Sequence, residues 1–118
     1  MLNTITIQGR FTADPQIKNT QNNIAVVSFT LACDRDFGEK KTDFFSCTAW
    51  RQTAEFIGKY FRKGQMAIMD GRLQNKEWTD KDGNKRTTAE ILVEHAYFCE
   101  SRKPQFEELP ANEEELPF

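Results

Sequence analysis

Phe44-Phe45-Ser46-Cys47-Thr48-Ala49-Trp50 alternates with period two, the pattern of a β-strand. One face carries Phe45, Cys47 and Ala49, all apolar, and is predicted to meet a core. The other carries Phe44, Ser46, Thr48 and Trp50. A half-buried strand normally makes its second face polar throughout. Here two large rings stand at the ends of a small polar patch. Exposed rings carry a hydrophobic cost, so they need a reason. Either a loop or a second subunit covers them, or they stack on nucleic-acid bases. The strand alone leaves both open.

Outward from it, the same period recurs. Residues 2–11 alternate Ile5, Ile7 and Gly9 with Thr4, Thr6 and Gln8. Asp14-Pro15 marks a turn, and residues 19–23 form a polar loop. Residues 25–34 place Ala25, Val27, Phe29, Leu31 and Cys33 on one face. Residues 35–43 are a charged loop with Phe37-Gly38 at its tip. Phe37 either folds back onto the body or offers another stacking ring. After Trp50 the period changes. Residues 53–61 read as a short helix with Thr53 as N-cap, an apolar stripe of Ala54, Ile57 and Phe61, and Gly64 to end it. A fourth strand, 65–76, sets Ala67, Met69, Gly71 and Leu73 on one face. Residues 78–86 form a hairpin arm with Trp78 at its root and Asp82-Gly83 at its turn. Lys76, Lys81, Lys85 and Arg86 make this arm basic. The fifth strand, 87–99, aligns Ile91, Val93, His95 and Tyr97. All-β, with five strands and one short helix between the third and fourth, is the order of an OB-fold barrel. Such a barrel also removes exposed strand edges.

Charge divides the chain unevenly. The net −2 hides a body, residues 1–103, with 16 Lys and Arg against 13 Asp and Glu. Residues 104–118 hold five Glu, no cation and three of the four Pro. That composition predicts an OB-fold domain over 1–103 and a disordered acidic tail over 104–118. A purely solvating tail has little use for Phe118 beside Glu113, Glu114 and Glu115. No apolar run approaches membrane-spanning length, and the first residues lack the basic and apolar regions of a signal peptide. A soluble, cytoplasmic protein is expected. The three cysteines have no metal-ligand spacing and fit buried positions in a reducing compartment. His95, the sole histidine, has no partner at catalytic or metal spacing and reads as a partly buried structural residue. No phosphate-binding or metal motif appears, so no catalytic residue, metal or cofactor is assigned and no enzyme is expected.

Several motifs in order resemble the bacterial single-stranded DNA-binding protein family, over the whole length. They are Gly9-Arg10-Phe11-Thr12-Ala13-Asp14-Pro15, the third strand from Asp43 to Arg51, Arg62-Lys63-Gly64, Asp70-Gly71-Arg72-Leu73, Trp78 with Asp82-Gly83, and the acidic tip ending Pro-Phe. The resemblance implies an OB-fold, assembled as a homotetramer, that binds single-stranded DNA without strong sequence preference in replication, repair and recombination. It implies base stacking on Phe37, Phe44, Trp50 and Trp78. It places Lys63 and Lys76 near phosphates, with Arg72, Lys85 and Arg86 adding charge. It makes Glu113, Glu114, Glu115, Leu116, Pro117 and Phe118 a docking tip for partner proteins in the bacterial cytoplasm and nucleoid. Gln74 and Glu77 stand where one branch has basic residues, and the linker is short. A single-stranded RNA-binding or primosomal OB protein is the alternative; the second should lack the acidic tip.

Overall fold

The computed structural model describes residues 1–99. Six strands and one helix follow in order: β1 (Ile5–Phe11), β2 (Ile17–Asn19), β3 (Ala25–Asp34), β4 (Thr42–Trp50), α1 (Arg51–Tyr60), β5 (Met66–Thr79) and β6 (Lys85–Phe98). They form one sheet in the order β1-β5-β6-β4-β3-β2, and β1 also pairs with β3. That last pairing, Arg10 opposite Ala32 and Phe11 opposite Leu31, closes β1, β3, β4, β5 and β6 into a barrel. The five expected strands are its staves, and the all-β OB-fold reading holds. The sixth strand, β2, was expected as turn and loop. It adds to the outside edge of β3, with Ile17 opposite Val27.

The barrel fills as the alternation predicted. Ala25, Val27, Phe29 and Leu31 of β3 point inward with Cys47 and Ala49 of β4 and Ala67 and Met69 of β5. A column of rings closes the helix end: Phe11 stacks on Phe29 at 4.9 Å and on Phe61 at 5.2 Å, and Phe61 stacks on Phe98 at 4.9 Å. Each pair adds roughly 0.5–1.5 kcal/mol beyond its buried area. Ala54 and Ile57 turn the apolar stripe of α1 into the same core.

Four local expectations are corrected. The helix begins at Arg51, not Thr53, and its N-cap is Trp50, which makes no side-chain cap bond. The Thr53 hydroxyl instead donates to the Glu94 carbonyl at 3.3 Å. The helix ends at Tyr60, with Phe61 as an extended C-cap. Gly64 does take a left-handed φ of 86°, but in the next turn, where its N–H donates to the Phe11 carbonyl at 2.8 Å. Phe45 is part-exposed rather than core, because β6 pairs with β4 only at Cys47 and Thr48 and leaves the start of β4 uncovered.

The fourth correction lies in β6. Asp70 pairs with His95 but Gly71 with Val93, so Glu94 is an extra residue, a β-bulge. The bulge reverses the alternation. Ile91 and Val93 face inward before it and Ala96 packs on the core after it, so His95 and Tyr97 turn outward. His95 is exposed, with Nδ1 at 2.9 Å from Asp70 Oδ1 and its ring at 6.2 Å from that of Tyr97. Gly71 makes room for this bend. A Cβ there would collide with the Leu92 carbonyl. Gly71→Ala should therefore destabilise the fold by roughly 1–3 kcal/mol or more through overpacking, read as a lower urea midpoint. An unchanged midpoint would mean that the bulge does not rely on this close approach.

Candidate nucleic-acid interface

β5 and β6 outrun the barrel. Pairing continues from Leu73–Ile91 to Thr79–Lys85, so the two strands leave the core as one arm. The arm ends in a turn that Asp80 organises. Its carboxylate accepts from the N–H groups of Asp82 and Asn84, each at 2.9 Å, and from Arg86 Nε at 2.8 Å. These donors, Arg86 foremost, hold its pKa below the usual carboxylate value. Gly83 supplies the left-handed residue at φ 83°. Trp78 is thus one pair from the end of the arm, not at its root as expected.

Alternation sorts the arm's side chains into two faces. Arg72, Gln74, Lys76 and Trp78 share one face of β5, opposite Leu92, Glu90, Thr88 and Arg86 of β6. Lys85 pairs with Thr79 and so belongs to the other face. Of the arm's predicted cations, Lys76 therefore stands beside Trp78, Arg86 serves the turn, and Lys85 is turned away.

The Trp78 face looks onto the outer side of β3 and β4 across a groove of 430 Å³. Hydroxyls of Ser28, Thr30, Ser46 and Thr48 line its floor, and Lys76, Trp78, Thr88 and Glu90 line its wall. The indole Nε1 donates to Thr88 Oγ1 at 2.8 Å, which fixes the ring while Trp78 stays 46% exposed. Thr48 Oγ1 donates to Glu90 Oε2 at 2.9 Å and ties β4 to β6. Glu90 is only 8% exposed. Sequence reasoning placed Glu90 on the outer face but gave it no role. The hydroxyl floor was equally visible as the outward positions of two strands, but nothing linear says that they face an arm whose lining residues lie 28 to 62 positions further on. Behind that floor, burial pushes the Cys47 thiol up to about 12, with Cys33 and Glu90 adding to it.

The rings of β4 lie at either end of that floor. Phe44 is 64% exposed at one end. Trp50, 42% exposed, is at the other, where Arg51 takes φ 56° and the chain swings straight into α1. Six residues of strand separate the two rings by roughly 20 Å. Trp50 borders its own recess with Asn23, Gln52 and Glu55. Phe37 tops the loop before β4 and is 88% exposed, so it does not fold back on the body. The loop's base is clamped: Arg35 makes two bonds to Asp43, at 2.8 and 3.0 Å, and Thr42 Oγ1 donates to Asp34 at 2.7 Å. Arg35 holds the Asp43 carboxyl below its usual pKa. Lys63 does not line the groove; it lies in the turn before β5, where its N–H donates to Asp14 at 2.7 Å. The tip residues from Glu113 to Phe118, and the whole acidic tail, lie outside the described residues. Among the described residues, no group of three potential metal ligands comes together, and no helix is long and apolar enough to cross a membrane.

Exposed rings around a hydroxyl floor, with Lys76 beside Trp78 on the wall, describe a strip that can hold something flat and anionic. The sequence model of the Single-strand binding protein family matches residues 2–99. The chain belongs to that family. A single-stranded DNA-binding protein of Bacillus cereus is 41% identical over 106 residues, covering 86% of this chain and 62% of its own length. One from Halalkalibacterium halodurans is 38% identical over 109 residues, covering 89% of this chain and 65% of its own. Single-stranded DNA-binding protein 2 of Listeria monocytogenes is 36% identical over 116 residues, covering 95% and 72%. The match thus spans a little under two thirds of the length of the first two relatives.

Proposed function

We propose that this protein binds single-stranded DNA, without strong sequence preference, by stacking bases on Trp50, Trp78, Phe44 and Phe37 and by pairing Lys76 and Arg72 with phosphates. The observation that carries this reading is the alignment of exposed rings on one face of β4 and the facing arm, with hydroxyls between them. Every base has a π-face, so stacking tolerates any sequence, at roughly 1–3 kcal/mol per base. A duplex keeps its bases stacked on each other and cannot present them. Lys63, Lys85 and Arg86 contribute charge at a distance rather than contacts inside the groove. The protein acts by binding alone. The best-placed thiol, Cys47, has its pKa pushed up to about 12 and is 1% exposed, so it is no nucleophile at neutral pH. The assembled form is a homotetramer, on the likeness to the family.

Trp50→Ala and Trp78→Ala should each weaken oligo-dT binding by roughly 1–3 kcal/mol, measured by fluorescence titration with the mass of the complex followed in parallel. Lys76→Ala should flatten the salt dependence by about 0.7 in log–log slope. Normal affinity in a folded Trp50→Ala, Trp78→Ala double variant would remove the stacking platform.

The tail has a separate role in this reading. Residues 1–103 form the DNA-binding domain, and 104–118 recruit proteins of replication, repair and recombination. Five Glu steer the tail toward a basic rim, an attraction that salt screens, while the Phe118 ring fills an apolar pocket. Deleting 107–118 should leave oligo-dT affinity intact or slightly raised, since competing negative charge is gone. Phe118→Ala should abolish capture of partner proteins from a bacterial lysate. Capture of the same proteins by Phe118→Ala would reduce the tail to a solvated extension.

A further inference from the structure

Glu90 is out of place in a groove for a polyanion. It is 8% exposed, it lines the groove, and it faces the floor on which a strand would lie. A buried carboxylate costs desolvation and repels phosphate. The bond from Thr48 at 2.9 Å satisfies one of about four acceptor sites. A ligand that brings donors rather than phosphate would offset the rest.

Trp78 is aimed at the same place. Its Nε1 bond to Thr88 leans the indole along β6 toward Glu90, which shares the face two residues from Thr88, roughly 7 Å along the strand. A base stacked on that indole would bring its edge to the carboxylate. We propose that Trp78, Thr48 and Glu90 form a base-reading subsite for guanine within an otherwise sequence-tolerant strip. This rests on the single-stranded DNA reading above and deepens it.

The choice of base follows from donor patterns. In a single strand the Watson–Crick edge is free to be read. Guanine offers N1–H and N2–H side by side, which match the two oxygens of one carboxylate. Cytosine and adenine each offer an amino group next to an acceptor nitrogen. Thymine offers one N–H between two carbonyls, both repelled by the carboxylate. Affinity at this subsite should therefore rank guanine first, thymine last. Lys76, on the same face and opposite Thr88, stands ready for the phosphate of that nucleotide.

The test compares oligo-dT with the same oligomer carrying one central guanine, and with one central inosine, which lacks the N2 amino group. Wild-type protein should bind the guanine oligomer about fivefold more tightly than oligo-dT, the lower end for a bidentate pair. Inosine should lose most of that gain. In Glu90→Gln the guanine-to-thymine ratio should fall to about one. Equal affinity of the wild-type protein for all three oligomers would overturn the subsite and leave Glu90 as a tie between β4 and β6. A guanine gain that survives in Glu90→Gln would overturn the assignment to this residue. The inosine comparison needs no variant, so a Glu90→Gln chain that fails to fold leaves the test standing. If wild-type protein binds none of the three, the single-stranded DNA reading itself is at fault.

Discussion

A sheet that closes on itself must bend sharply somewhere, and here the bend also has to release an arm. Both demands fall on the pairing of β5 with β6. The two strands are 14 residues each, the longest among the described residues. At one end they are barrel staves, with Met69 of β5 buried in the core and Phe98 of β6 stacked on Phe61; at the other they are a free ribbon with Trp78 near its tip. Between them the extra residue at Glu94 and the missing Cβ at Gly71 supply curvature that a regular ladder lacks. Without this bend the arm would continue in the plane of the barrel wall, and no groove would form over β3 and β4.

The groove is the functional consequence. Rings exposed on an isolated strand are a solubility hazard. The same rings facing a hydroxyl floor, beside a lysine and a fixed indole, become a platform. The positioning is passive: Trp78 is held by Thr88, the Phe37 loop by the Arg35–Asp43 clamp, and the arm's turn by Asp80. Each device is a short polar contact on the surface, which keeps the apolar rings available without letting them collapse inward.

The barrel was legible because its signal is local. Alternation in β1, β3, β4 and the first half of β5 told which residues face in, Phe45 excepted, and Phe44 and Trp50 stood out as misfits on an outer face. What was lost is what linear pattern cannot carry. The bulge has no glycine or proline in β6 to announce it, so His95 and Tyr97 appeared to continue the inward face. Thr53 looked like a better cap than Trp50, but the tight passage from β4 left no loop in which to place it. Lys85 and Lys76 looked equivalent as cations on one arm; only the register across the turn puts them on opposite faces. The pairing of Glu90 with Thr48 joins positions 42 residues apart, and no local rule relates them.

The central claim is that one face, the outer side of β3 and β4 under the arm, holds the nucleic acid. Backbone amide shifts recorded while oligo-dT is added to the full chain test this most directly. Shifts are predicted at Ser28, Thr30, Ser46, Thr48, Lys76, Trp78 and Thr88, with little change at Thr6, Gln8 or His95 on the opposite outer face. Shifts concentrated on that second group, with the groove silent, would contradict it.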